Sequence, residues 1–124
     1  MDQSRVFANE LGSVREARGF VEDVLRPLGL NDVEARIVVS ELAANAVRHA
    51  QTPFTVGVDV RPDTIRIEVE DGAGALRIAT EMASEGTGRG LRIVENAATS
   101  WGVDFRGVKK AVWIELPAVA SGRP

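Results

Sequence analysis

Two stretches of helical periodicity followed directly by two of strict alternation constrain this chain more than any other feature. Val14, Ala17, Val21, Val24, Leu25 and Leu28 recur at three- and four-residue steps, the stripe of an amphipathic helix. Ser13 and Glu16 stand at capping-box spacing at its start, and Pro27 and Gly29 end it. Val33, Ile37, Val38, Leu42 and Ala46 predict a second helix running to about residue 50, opened by Asn31 and Glu34 and barred from continuing by Pro53. Residues 54–60 and 64–71 then alternate apolar and polar side chains around Arg61, Pro62 and Asp63, which reads as an antiparallel hairpin. Residues 4–9 alternate weakly and predict an edge strand before the first helix.

The second half is less regular. Residues 71–89 carry no periodicity and are punctuated by Gly72, Gly74, Gly86 and Gly88, a loop long enough to serve as a lid. Leu91, Ile93, Val94, Ala97 and Ala98 predict a short helix; residues 100–105 and 111–116 predict two closing strands around Gly107; residues 118–124 read as a disordered tail. Helices grouped together, rather than alternating one for one with strands, favour an α+β two-layer sandwich with a mixed, mostly antiparallel sheet and helices on one face. A length of 124 residues with 44% hydrophobic content fits one domain spanning 1–124.

Charge and composition narrow the partners. The formal charge of -3 is built from interspersed acids and bases, so no basic face is available to neutralise nucleic-acid phosphates. The chain has no cysteine and one histidine, which excludes disulfides and thiolate or histidine-rich metal centres and leaves a hard, oxygen-held ion as the metal of choice. No apolar run approaches the roughly 20 residues that span a bilayer, so a cytoplasmic protein with no membrane partner is expected.

Three segments carry candidate chemistry. Glu41, Asn45 and His49 lie at i, i+4 and i+8 on the second helix, beside its apolar side, where a polar partner must face them or they are desolvated at a cost. A magnesium-bound phosphate is such a partner: an Asn oxygen is a suitable ligand, and a glutamate one turn away can take a proton from an attacking hydroxyl. The alternative is an ordinary boundary ladder. Asp71 closes a predicted strand, where its carboxylate can accept from the exocyclic amine of a purine, with glycines letting the backbone approach; a plain acidic turn is the alternative. Gly86, Thr87, Gly88, Arg89, Gly90 and Leu91 lead into a helix and offer backbone N–H groups to phosphate, or form a simple surface loop. They match neither a dinucleotide fingerprint nor a Walker loop. Lys109 and Lys110 open the last strand, within reach of a phosphate or as edge protection, and Trp101 and Trp113 read as packing.

In this order, Glu41-Leu-Ala-Ala-Asn45-Ala-Val-Arg-His49-Ala, Val69-Glu-Asp71-Gly-Ala-Gly74 and Gly88-Arg-Gly90-Leu-Arg-Ile-Val-Glu-Asn resemble the three nucleotide-binding boxes of GHKL ATPases, most closely the small anti-sigma serine kinases. The resemblance covers about residues 5–117 and implies the Bergerat fold, with ATP and magnesium as cofactors. It also implies roles: Asn45 on magnesium, Asp71 on the adenine amine, Gly74 beside the base, Gly86 to Leu91 with Lys110 around the phosphates, and Glu41 as general base. The activity implied is phosphorylation of a STAS-type anti-anti-sigma partner together with binding of a sigma factor; the alternative is an ATP-gated interaction module without phosphotransfer. A homodimer is within the pattern. Two positions depart from it. Ala73 falls where counting from Asp71 calls for glycine, and Gly86 stands where kinases often carry a lid arginine, so contact with the γ-phosphate is lost or moves to Arg89.

Overall fold

The computed structural model describes residues 2–72, 96 and 98–122. Among them run β1 (Gln3–Phe7), α1 (Gly12–Leu25), a 3-10 turn (Arg26–Leu28), α2 (Val33–His49), β2 (Phe54–Val60), β3 (Thr64–Asp71), β4 (Ser100–Arg106) and β5 (Lys109–Pro117). The strands form one sheet in the order β1-β2-β3-β5-β4, and every pairing is antiparallel. This is the expected α+β sandwich, with an antiparallel sheet under a helical layer.

The alternation in the strands decides which face meets the helices. Val56 and Val58 of β2, Ile65, Ile67 and Val69 of β3, and Val112, Ile114 and Leu116 of β5 join Ala17, Phe20, Val21 and Leu25 of α1 and Val38, Val39, Leu42 and Ala46 of α2 in one buried cluster. Phe7 ties the edge strand into it, stacked on Phe54 with centroids 5.5 Å apart and edge-on to Phe20 at 6.2 Å. Leu28, counted in the apolar stripe of α1, is instead exposed, because the chain has already left the helix for the 3-10 turn.

The helix starts are built differently from their sequence signals. No side chain caps α1: Ser13 is buried in its first turn, and the N–H groups of Ser13 and Val14 are met by the carbonyls of Glu10 and Leu11 at 3.0 and 3.1 Å. At α2, Asn31 Oδ1 does accept from the Val33 N–H at 2.9 Å, while the N-cap Asp32 is engaged by Arg26 at 2.9 Å and Arg36 at 3.5 Å. The stretch after β5, expected to be disordered, is tied down as far as Ser121. Ala118 donates to the Asp63 carbonyl, Asn31 to that of Val119, and Ser121 to that of Gly29, all at 2.8 to 3.0 Å.

The other face of the sheet is a charged lattice. Arg106 hydrogen-bonds Glu68 at 2.9 and 3.0 Å, Glu70 at 3.0 Å and Asp104 at 3.3 Å; these bonds, Glu68 first, hold its guanidinium pKa above the ordinary arginine value despite the opposing effect of burial. Arg66 pairs with Glu115 at 3.2 Å and lies 4.2 Å above the Trp113 ring. That ring lies across Gly102 of β4, where a Cβ would come within 2.7 Å of it. Gly102→Ala is expected to destabilise the fold by about 1–3 kcal/mol in urea denaturation, as overpacking does, and Trp113→Val in the same chain should recover part of the loss.

Candidate functional site

The C-terminal half of α2 brings polar groups to the rim of the core. Val38, Leu42 and Ala46 are buried, and Asn45, on the turn between them, is only 8% exposed. Its Oδ1 accepts a hydrogen bond from Arg48, one turn on. Its Nδ2 is buried and, among the described residues, has no hydrogen-bond partner. Leaving such a group unsatisfied costs about 1–3 kcal/mol, so a polar partner, water or ligand, is required at this point. Glu41, one turn earlier, is half-buried and makes no hydrogen bond or ion pair among the described residues. His49 closes the last turn of the helix.

Asp71 ends β3 on the same side of the sheet as Ile65, Ile67 and Val69, so its carboxylate continues the core-facing row and is only 4% exposed. The antiparallel register sets Lys110 of β5 opposite it. Lys110 is 6% exposed, with Nζ 3.8 Å from Asp71 Oδ2. The lysine considered for the phosphates is thus held at the carboxylate considered for the base. Gly74, Gly86, Thr87, Gly88, Arg89, Gly90 and Leu91 lie outside the described residues, as do the rest of the expected lid and most of the helix after it.

A brace joins the two halves of the site. Gly72 donates its N–H to Thr52 Oγ1 at 2.9 Å, and a Cβ on Gly72 would stand 2.8 Å from the Thr52 methyl. The Thr52 carbonyl accepts from Asn9 Nδ2 at 2.9 Å, and Asn9 reaches the Ala46 carbonyl at 3.3 Å. The end of α2, the loop before α1 and the end of β3 are therefore tied together. Arg48 and this brace were not among the residues singled out from the sequence. Arg48 could have been, since i, i+3 spacing from Asn45 places it on the same side of the helix. The Thr52 contact has no local signal, because its partner lies 20 residues away in the chain.

The arrangement sets a buried carboxylate at a strand end, a buried amide, a carboxylate one turn from it that is unengaged among the described residues, and an arginine at its edge. Among the described residues no cluster of three or more His, Cys, Asp or Glu side chains could hold a metal. Thr52→Val keeps the shape of the side chain and removes the acceptor of the Gly72 N–H; it is expected to cost about 0.5–1.5 kcal/mol in urea denaturation.

None of the described helices is long and apolar enough to cross a membrane. No curated protein matches the chain. Among solved structures, Acinetobacter baumannii histidine kinase AdeS superposes on 94% of this chain and 68% of its own, with a TM-score of 0.56 and 16% sequence identity, a likeness of fold alone. The profile of the histidine kinase-like ATPase domain matches residues 7–116, which takes in both helices, all of β2 to β4, nearly all of β5 and the Asn45 and Asp71 sites. The chain belongs to that family of ATPase domains, within the GHKL superfamily.

Proposed function

We propose that this chain binds ATP with magnesium and transfers the γ-phosphoryl group to a serine of a STAS-type anti-anti-sigma protein, and that it also binds a sigma factor. The observation that carries this reading is the pairing, on consecutive turns of α2, of a Glu41 carboxylate and a buried Asn45 amide nitrogen that have no partner among the described residues. A module that only holds nucleotide needs no proton acceptor; phosphoryl transfer to a serine hydroxyl needs a carboxylate placed to receive its proton. A cytoplasmic location accords with such partners.

In this reading Asp71 accepts a hydrogen bond from the base and Asn45 faces the phosphates. An amide flip at Asn45 exchanges its nitrogen and oxygen, so the buried position can offer a donor to a phosphate oxygen or an acceptor to a cation. Flipping requires Arg48 to release Oδ1, which frees its guanidinium for the phosphate charge. Magnesium held there, with phosphate oxygens and water completing its shell, would neutralise charge on the transferring group. Glu41 takes the proton from the partner's serine hydroxyl as its oxygen bonds to the γ-phosphorus; the bond to the β,γ-bridging oxygen breaks, giving phosphoserine and ADP.

A second reading is favoured by one contact. The Arg48 bond to Asn45 Oδ1 keeps the amide oxygen engaged, as suits a module that holds nucleotide and changes its partner surface without transferring phosphate.

Labelled ATP, purified protein and a STAS-domain partner distinguish the two. Phosphotransfer to serine is expected, reduced on the order of 10²- to 10⁴-fold in Glu41→Ala with ATP binding retained, the usual weight of a general base. ATP bound with no phosphoserine formed would leave the module. In thermal denaturation, ATP at about 100 times its Kd should stabilise the native protein by about 2.7 kcal/mol, and Asn45→Ala should abolish the gain.

A further inference from the structure

Lys110 is a buried cation that the proposed transfer does not use, and strand register is what buries it. Its neighbour Lys109 turns to the charged face of the sheet, where it lies 3.7 Å from Glu70 with its side chain 59% exposed. Lys110, one residue on, faces the helical layer opposite Asp71, with 7% and 4% of the two side chains exposed and Nζ 3.8 Å from Oδ2. Among the described residues its ammonium has no other ion pair and no hydrogen bond. Withdrawing two charges from water is costly, and apolar residues of similar volume in their place would serve stability as well or better. Stability gives no reason for the pair; its position at the strand end, where the base is received, gives one.

We propose that Lys110 is a positioning residue for the base: its positive charge holds the Asp71 carboxylate in the orientation that accepts a hydrogen bond from the 6-amino group of adenine. This rests on the reading that Asp71 receives the base. The last side-chain torsion of an aspartate is broad, so the orientation of its carboxylate is set by what it faces. From the neighbouring strand the ammonium attracts one oxygen, and in a site withdrawn from water that attraction is screened far less than at the surface. A carboxylate has acceptor sites on both oxygens, so serving Lys110 through Oδ2 leaves capacity for an amino group. Lys110 itself does not need to touch the base. Without its charge the buried carboxylate would be uncompensated and would turn toward any donor or water within reach. The amino group would then no longer find its acceptor in place.

Purine riboside triphosphate is the probe, since it is ATP without the 6-amino group. In calorimetric titration the native protein should bind ATP about tenfold or more tightly than the probe, the worth of one hydrogen bond to a charged group. Lys110→Met should weaken ATP by about tenfold while moving the probe by less than about threefold, and Lys110→Arg, which keeps the charge, should hold the native ratio. A structural role alone would weaken both nucleotides equally. That result, or ATP bound as tightly as before in Lys110→Met, would overturn the proposal and leave the base reading intact. Equal native affinities for ATP and the probe would overturn it together with the reading of Asp71, and no binding of ATP would take the ATP site with it. Should Lys110→Met not fold, as judged by circular dichroism, Lys110→Gln decides, since it removes the charge but keeps a donor for the carboxylate. An ATP-to-probe ratio reduced by about threefold or more in that variant supports the proposal, and the native ratio overturns it.

Discussion

The β3–β5 ladder is the contact on which the rest of this structure depends. It places β5 in the interior of the sheet, between the hairpin formed by β2 and β3 and the edge strand β4, although β4 comes first in the chain. Ile67 opposite Ile114 and Val69 opposite Val112 then form the floor on which α2 packs. The same register, continued two residues past the last apolar pair, sets Asp71 against Lys110. The core and the polar site are successive parts of one row of side chains. Slipping the register by one residue would turn Lys110 to the charged face and expose the apolar row of β5.

The two faces of the sheet divide the work. One is sealed by helices and confers stability through apolar burial, with the buried polar groups of Asn45, Asp71 and Lys110 at its end. The other has no helical layer among the described residues and is occupied by arginines and carboxylates whose stems cover the strands while their heads bond one another. An antiparallel sheet tolerates this asymmetry because hairpins, unlike crossovers between parallel strands, do not oblige helices to cover both faces.

Much of the architecture was legible because it follows from period. Both helices, the hairpin around residues 61–63, the edge strand and the closing pair of strands are all found where apolar spacing puts them. The capping signals were less reliable. Ser13 has the composition of a cap, but its position on the buried side of α1 turned it into the core, and backbone carbonyls served the first N–H groups instead. The end of the chain was misread for a related reason: residues 118–121 have no periodicity of their own and are ordered only by bonds to residues 29, 31 and 63.

The sequence by itself determined the class of fold and which polar residues stand at apolar-face positions, since helical and strand periods are local properties of the chain. It could not say which of them would meet. Asp71 and Lys110 are 39 positions apart, and Thr52 and Gly72 are 20 apart; nothing in their neighbourhoods encodes the pairing. That was decided by strand order and register, which are fixed only when the whole apolar face is buried at once. A lysine that could have served as edge protection or a phosphate contact thereby became the buried partner of a carboxylate.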